Sequence, residues 1–176
     1  MNRLIMIIAM SLCLVACQTS PPKVETPVAK QEVSKPENDQ TGEHLIAAAA
    51  LVSTETDCMN AKKTPVADFT EQELNPDSVL AGEKFTHRLV YTVCESDPEN
   101  VIEGTLYRKI YRKSQLLHSE PKPFTLKPGR WAVNALIEVP TKSKPGSYTL
   151  KTEFIGKASG KHKIKLTKQT EFEVHD

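Results

Sequence analysis

The sequence has little of what catalysis and metal binding require. Its 176 residues include only five histidines, four cysteines and seven glycines, and no Gly-x-Ser-x-Gly, His-Glu-x-x-His, Cys-x-x-Cys or phosphate-binding glycine pattern occurs. The histidines are spread singly along the chain, at His44, His87, His118, His162 and His175. The sequence therefore predicts no enzyme activity, no metal site and no cofactor.

The sequence also lacks an apolar run long enough to span a bilayer. The most apolar stretch, Leu4 to Val15, follows Arg3 and ends at Ala16 and Cys17. A spanning helix needs about 20 apolar residues, whereas a secretory signal needs about 7 to 15. Residues 1–16 are therefore predicted to be a signal peptide that is removed after export.

The end of this segment resembles the lipobox of bacterial lipoproteins, a Leu-x-(Ala/Gly/Ser)-Cys tetrad. The positions are filled by Leu14, Val15, Ala16 and Cys17. Cys13 is a poorer candidate because the bulky Leu12 precedes it. The resemblance implies cleavage before Cys17 and lipid attachment, including palmitate, to its sulfur. The alternative is an ordinary signal peptide with a chance cysteine.

Lipid attachment implies a location as well as an anchor. One acyl chain holds a protein only marginally, whereas several retain it firmly in a membrane. Gln18 stands where enterobacterial sorting reads an aspartate as a retention signal, so the chain resembles outer-membrane lipoproteins. The resemblance thus implies a lipid-anchored protein of the bacterial cell envelope, in the outer membrane and facing the periplasm.

Residues 17–42 are predicted to be a lipidated, disordered tether. They are rich in proline, lysine, glutamate and threonine, contain no aromatic residue and show no apolar periodicity. Such a composition cannot bury enough apolar surface to fold, and its prolines keep it extended. A tether with a function and a mere spacer would have the same composition.

Residues 43–62 are predicted to be a short helix and a connector. The stretch "TGEHLIAAAALVSTETDC" is rich in alanine and leucine, which favours a helix from Glu43 to Ser53 with Thr41 as its cap. We expect its apolar side to pack on the following domain, although a partner would be an alternative. That side consists of Leu45, Ile46, Leu51 and Val52.

Residues 63–176 are predicted to form an all-β domain. Apolar residues alternate with period two and are interrupted by turn residues every ten or so positions. His87 falls on the apolar face of one strand and is interpreted as a hydrogen-bonded core residue. Seven strands are predicted, over residues 66–69, 83–94, 101–113, 124–126, 130–139, 146–154 and 162–174.

The second half of this region resembles bacterial immunoglobulin-like domains. The similarity rests on "LKPGRW", "IEVP", "KPGSYTL" and "FEV", which combine Pro-Gly turns, a Tyr-x-Leu strand and a final Phe-x-Val strand. It implies an immunoglobulin-like β-sandwich of about seven strands. Trp131 and Cys58 lie at positions that differ from those of antibody-type domains. A shared fold does not define a function.

The two remaining cysteines are predicted to form a disulfide. Once Cys13 is lost with the signal and Cys17 carries lipid, only Cys58 and Cys94 are left. An even number in an oxidising compartment favours a bond, and two buried thiols are the alternative. The bond would attach the preceding segment to the sandwich and contribute about 4 kcal/mol.

The charges nearly balance, with 23 basic and 22 acidic residues, but they are unevenly distributed. Residues 18–103 have 7 basic and 16 acidic side chains, whereas residues 104–176 have 15 and 6. The basic strands either protect a sheet edge from pairing or form an electropositive face for an anionic partner. The candidate basic face consists of Arg108, Lys109, Arg112, Lys113, Lys161, Lys163 and Lys165.

These features predict a membrane-anchored envelope lipoprotein whose immunoglobulin-like domain is a non-enzymatic binding or accessory module. The expected partners are the membrane, through the N-terminal lipid, and another envelope protein or an anionic envelope polymer. We expect no nucleic-acid partner in the envelope. The alternative function is that of a protease inhibitor or chaperone-like protein that engages clients by loops or by edge-strand addition.

Overall fold

The computed structural model describes residues 41–56, 58, 66–95, 97, 99–157 and 163–176. The predicted signal peptide, Cys17, most of the predicted tether, and Lys161 and His162 lie outside these residues. No helix within the described ranges is long and apolar enough to cross a membrane. The described elements are β1 (Gly42–Ala47), α1 (Ala49–Glu55), β2 (Val66–Asn75), β3 (Ser78–Leu80), β4 (Lys84–Cys94), β5 (Ile102–Arg112), β6 (Gln115–Leu126), β7 (Gly129–Glu138), β8 (Gly146–Lys157) and β9 (Lys163–His175).

The strands form two sheets, which confirms an all-β fold. One sheet has four strands in the order β1-β7-β4-β2, and the other has five in the order β3-β9-β8-β5-β6. Neighbouring strands pair antiparallel, apart from the short parallel pair of β3 and β9. All seven predicted strands are present. The described residues contain two more, β1 and β3, which the sequence did not indicate.

The apolar residues that alternate along each strand meet between the sheets. They form two clusters, one around Leu89 and Phe154 and the other around Phe85 and Ile110. All four side chains are at most 1 % exposed. Burial of a side chain of this size contributes about 1.5–3 kcal/mol. The period-two pattern of the sequence thus supplies the contacts that hold the two sheets together.

The predicted helix from Glu43 is wrong over its first half. Residues Gly42–Ala47 form β1, which pairs with the edge of β7, and α1 covers only Ala49–Glu55. Ala48 is the N-cap, so Thr41 has no capping role. Differences in helix propensity are below about 0.7 kcal/mol per ordinary residue, and pairing with β7 outweighs them here. The four-stranded sheet therefore includes β1, which precedes the predicted boundary at residue 63.

The predicted disulfide between Cys58 and Cys94 is confirmed, with the two Cα atoms 5.5 Å apart. Cys94 ends β4, and Cys58 follows α1, so the bond attaches the helical segment to the four-stranded sheet. Val52 of α1 is fully buried. Arg130 of β7 donates a hydrogen bond to Glu55 at 3.0 Å. The disulfide, the buried valine and this ion pair together fix α1 against the sheet.

The two lateral edges of the pair of sheets differ. At the edge formed by β2 and β9, the Lys168 ammonium donates to the Thr70 carbonyl at 2.9 Å, and the Gln72 amide donates to the Leu150 carbonyl at 3.2 Å. At the opposite edge, residues 115–123 of β6 are exposed throughout. Clefts open there between β6 and β7. This open edge gives solvent a route to the interior.

Candidate functional site

A layer of polar side chains separates the two apolar clusters. His87, Arg108 and Thr152 occupy inward positions of β4, β5 and β8 and are 0, 4 and 0 % exposed. Arg108 and Thr152 are direct neighbours across β5 and β8. His87 faces them from the other sheet. Side chains alternate between the two faces of a strand. The apolar residues two positions away on each strand point inward, so these three residues point inward as well.

The hydrogen bonds of this layer define the state of His87. Arg108 Nε donates to His87 Nδ1 at 3.1 Å, so Nδ1 is an acceptor and the ring proton lies on Nε2. His87 Nε2 then donates to Thr152 Oγ1 at 3.3 Å. Burial and the charge of Arg108 lower the pKa of His87 to about 3. The ring is therefore neutral above that pH, and the prediction of a hydrogen-bonded core histidine is confirmed.

Arg108 reaches the open edge between β6 and β7. It lines a cleft of about 500 Å³ between β6 and β7, whose walls include Glu120, Phe124, Val133 and Leu136. Burial lowers the pKa of Arg108, and the negative charge of Glu120 opposes this shift. Among the described residues, the guanidinium makes one hydrogen bond, to His87, and has no carboxylate within 4 Å. A buried positive charge thus borders an open cleft.

Glu43, which also lines this cleft, belongs to a second polar network. The Tyr91 hydroxyl donates to Glu43 Oε1 at 2.5 Å and accepts from the Lys127 backbone amide at 3.2 Å. The Lys127 ammonium forms an ion pair with Glu43 and lies 4.8 Å from the centre of the Trp131 ring. Burial and the hydrogen bond to Glu43 raise the pKa of Tyr91 above its ordinary value. Both carboxylate oxygens of Glu43 are therefore already bonded, one to Tyr91 and the other to Lys127.

The structure distributes the candidate basic face over several places, and the assignment of Arg108 to a surface is wrong. Arg108 points inward because it shares the parity of Leu106 and Ile110 on β5. Arg112 has the same parity. It donates to the Pro145 carbonyl at 2.9 Å, and its guanidinium carbon lies 5.7 Å from the Tyr148 ring centre.

The other members of the candidate face lie elsewhere. Lys113 follows β5 with a positive φ of 54°, in the connection to β6. Lys109, Lys163 and Lys165 occupy outward positions of β5 and β9. Lys161 lies outside the described residues. Of the six predicted residues that the structure describes, three are therefore brought together on one face.

Glu153 neutralises part of that outer surface. Its carboxylate accepts from Lys109 Nζ at 2.5 Å and pairs with Lys165 Nζ at 2.6 Å. Its side chain is 5 % exposed, and the hydrogen bonds from these two lysines lower the pKa of Glu153 to about 2. The hydrogen bond to Glu153 also raises the pKa of Lys109. The three groups form one compact, charged cluster on β5, β8 and β9.

Two lysines that the sequence analysis did not include complete this surface. The strand register places Lys109 opposite Lys151 and Lys157 opposite Lys163. We call these four residues and Lys165 the lysine face. Lys151, Lys157 and Lys163 form no ion pair among the described residues. Parity marks Lys151 and Lys157 as outward, but only the register shows that they oppose other lysines.

The lysine face and the cleft with Arg108 are the two candidate binding features. In the described part of the chain, no group of three histidine, cysteine or acidic side chains is arranged to hold a metal ion. His118 lines a neighbouring part of the open edge with Lys84 and Glu138. The structure thus brings together charged groups suited to binding.

Comparison with known proteins gives no functional information. No family model matches the chain, and no curated protein is similar to it. A sporulation control protein from Bacillus subtilis has 13 % identity and a TM-score of 0.39, with 62 % of this chain and 49 % of that chain aligned. The chain thus spans about half the length of that protein.

Two enzymes give similar values. An alkylpurine DNA glycosylase from Pseudomonas fluorescens has 12 % identity and a TM-score of 0.42, covering 62 % of this chain and 30 % of the enzyme. A family 123 glycoside hydrolase from Clostridium perfringens has 15 % identity and a TM-score of 0.40, covering 64 % of this chain and 27 % of the enzyme. These similarities are too low to carry an argument about function.

Proposed function

We propose that the protein is a lipid-anchored protein of the bacterial envelope, in the outer membrane and facing the periplasm, and that its β domain is a non-enzymatic binding module. The anchor rests on the resemblance of Leu14 to Cys17 to a lipobox. The lysine face contacts the partner, which is an anionic envelope polymer or the acidic surface of another envelope protein. The observation that carries this proposal is the position of the lysines in the sheet.

Lys109, Lys151 and Lys157 lie on β5 and β8, which are inner strands of the five-stranded sheet. Protection against edge-to-edge pairing requires charges on edge strands, so it does not account for these three residues. Like charges directly across a strand pair are destabilising, and this face has two such pairs. An anionic partner would turn this repulsion into attraction, which supports a recognition surface.

The immunoglobulin-like character of the domain is part of the same proposal. Two facing sheets support it, as does the contact of Tyr148 at the start of β8. The Tyr148 hydroxyl donates to the Lys144 carbonyl, four residues upstream, at 2.6 Å. A tyrosine that bonds back to the chain near the start of a late strand is the tyrosine corner of such domains.

Edge-strand addition is the alternative mode of contact, and β6 would be the strand to receive a client. Its register includes Pro121 and Pro123 opposite Tyr107 and Thr105. Because proline has no N–H group, a strand added to this edge would find no donor at those two positions. The edge available for addition is therefore limited, and the lysine face is the better supported contact.

The test changes one pair of facing lysines into a pair of glutamates. The two side chains still carry like charges, but the sign of the charge is reversed. Lys157→Glu with Lys163→Glu replaces a positive pair by a negative pair at exposed sites, so the fold should be retained. A chain without residues 1–17 would be sedimented with isolated envelopes. We expect wild type to co-sediment at 0.1 M salt and to lose most of this binding at 1 M, where the Debye length falls to about 3 Å.

The matched control is Lys142→Glu with Lys144→Glu, which makes the same change in net charge in the loop before β8. It should bind like wild type, whereas the variant of Lys157 and Lys163 should not. Equal sedimentation of all three proteins at low salt would refute the lysine face. The anchor is tested separately, because Cys17→Ala should abolish incorporation of labelled palmitate into the full chain.

A further inference from the structure

The unusual feature of the interior is a buried guanidinium that forms no ion pair with a carboxylate among the described residues. Arg108 is 4 % exposed, and its Nε is bonded to a neutral imidazole, which cannot balance its charge. An arginine has five N–H donors, and only the one on Nε has a protein acceptor among the described residues. A buried charge is costly unless it is paired and hydrogen-bonded. The other four donors are on the Nη atoms, and because Arg108 lines the cleft, they are the groups that an anionic ligand would meet there.

The cleft that Arg108 lines determines which anion fits. Lys122 and Glu120 lie on the β6 side, while Phe124, Val133 and Leu136 provide apolar wall. Glu43, which also lines the cleft, is already held by Lys127 and Tyr91. Glu120 would repel a doubly charged anion such as phosphate, whereas a singly charged carboxylate matches Arg108 in charge. The planar fork of a guanidinium also binds a carboxylate through two parallel hydrogen bonds.

We propose that this cleft is a binding site for a ligand with a free carboxylate next to an apolar group, with the carboxylate on the Nη atoms of Arg108. The apolar group packs against Leu136, Val133 and Phe124. A volume of about 500 Å³ is within the range of small-molecule sites. His87 is a positioning residue, because its bond to Nε fixes the plane of the guanidinium. This site is separate from the lysine face, which lies on the outer side of the same sheet.

The first experiment uses the full chain, labelled with ¹⁵N, and probes that differ only in the acidic group. Hexanoate and N-acetyl-leucine carry a carboxylate beside an apolar chain, and hexanamide and N-acetyl-leucinamide are their neutral counterparts. We expect the two acids to shift the Nε–H signal of Arg108 in a saturable way and the two amides to leave it unchanged. Inorganic phosphate should bind more weakly than hexanoate because of Glu120.

The source of the carboxylate is distinguished by a peptide arm. The probe is acetyl-Ala-Ala-Leu with a free C-terminus, compared with N-acetyl-leucine. Tighter binding of the peptide by about tenfold or more would assign the site to chain ends. Equal affinities would assign it to small carboxylic acids. Both results support a carboxylate site, because the corresponding amides must fail in either case.

Two substitutions of Arg108 test its role by calorimetry with hexanoate. Arg108→Lys keeps the charge but loses the two-pronged contact, and we expect its affinity to fall about tenfold. Arg108→Met removes the charge and should abolish binding. Arg88→Lys is the control, since Arg88 lies on β4 of the four-stranded sheet and pairs with Glu71 and Glu73. This control should bind like wild type.

The outcomes that overturn the proposal are direct. Absence of a saturable shift with either acid in the wild-type protein would show that the guanidinium needs no anion. Equal affinity of Arg108→Met and wild type for hexanoate would place binding elsewhere. If Arg108→Met fails to fold, Arg108→Lys with the Nε–H titration of wild type decides the question, and an unchanged affinity of that variant would refute the site.

Discussion

Two neighbouring residues of β5 carry their positive charges in opposite ways. Arg108 points into the space between the two sheets, where its Nε bonds to the neutral ring of His87 and no carboxylate lies within 4 Å in the described part of the chain. Lys109 points outward and shares the carboxylate of Glu153 with Lys165. The inner charge is buried and has only the more distant charge of Glu120 to oppose it, whereas the outer charge is directly paired at the surface.

The difference teaches that strand parity and register, rather than the number of basic residues, decide what a charge can do. Arg108 has the parity of Leu106 and Ile110, so it lies between two apolar clusters and at the edge of a cleft. Lys109 has the opposite parity and belongs to the lysine face. The two sites are therefore separate, and substitutions on each strand face should have separable effects on stability and binding.

The largest expected effect comes from removing the acceptor of Arg108. His87→Leu removes the acceptor of the hydrogen bond from Arg108 Nε, and we expect a loss of about 3 kcal/mol in the free energy of unfolding. The double variant, His87→Leu with Arg108→Met, also lacks the buried positive charge and should recover much of that loss. Urea denaturation of both single variants, the double variant and wild type measures the coupling.

If the stability losses of His87→Leu and Arg108→Met simply add in the double variant, the two residues are not energetically coupled, and the proposed interaction between them is wrong. Leu89→Ala provides a scale for the double-mutant cycle, because it removes apolar volume from the same strand without touching the polar layer. We expect it to cost about 2–5 kcal/mol by itself.

A smaller effect is expected from the outer face. Glu153→Gln removes the carboxylate that Lys109 and Lys165 share and should cost about 2 kcal/mol at pH 7, since Lys165 is partly screened by solvent. Because the pKa of Glu153 is lowered from 4.5 to about 2, its contribution is complete above pH 4.5 and is lost as the pH falls to 2. Thermal melts across this range measure it.

The variant should therefore show a flatter loss of stability below pH 4.5 than wild type. His87 makes stability depend on pH in a higher range. As the pH falls below about 6.5, the unfolded chain binds a proton on this ring, whereas the folded chain does not until about pH 3, so the unfolded state is favoured. Wild type should thus lose stability from pH 6.5 downward. An identical acid profile for Glu153→Gln and wild type would contradict the ion-pair cluster.

The smallest effect is expected at Lys151. It lies opposite Lys109 and forms no ion pair among the residues described, so Lys151→Gln relieves a like-charge contact. We expect stability to be unchanged or to rise by a few tenths of a kcal/mol. Lys109→Gln is the matched substitution and should lower stability, because it breaks the contact with Glu153. A measurable loss of stability for Lys151→Gln would contradict the distinction between Lys109, which is ion-paired, and Lys151, which is not.

Much of this arrangement could be predicted from the sequence. The seven strands, the disulfide and the buried role of His87 all follow from alternation and cysteine parity. Arg108 was assigned to a surface because it was grouped with its basic neighbours, although its parity with Leu106 indicated the interior. The strand β1 could not be predicted, because the alanines directly after it favour a helix over the whole segment, and only β7 gives β1 a strand to pair with.

Two further features could not be predicted from the sequence. They are the strand register of the lysine face and the open edge at β6. Period two shows which side chains face outward, but the opposition of Lys109 to Lys151 depends on how β5 and β8 are aligned. Likewise, nothing local in β6 indicates that residues 115–123 stand exposed while the β2 edge is bonded to β9. These features are set by long-range pairing.

The most direct test of the account is the state of the His87 ring, because the contrast between Arg108 and Lys109 depends on it. Imidazole ¹⁵N NMR of the full chain reports both protonation and tautomer. We predict a neutral ring with the proton on Nε2, unchanged from pH 7 to pH 4. A ring that titrates near pH 6.5, or a proton on Nδ1, would contradict the account, since Nδ1 could not then accept the hydrogen bond of Arg108.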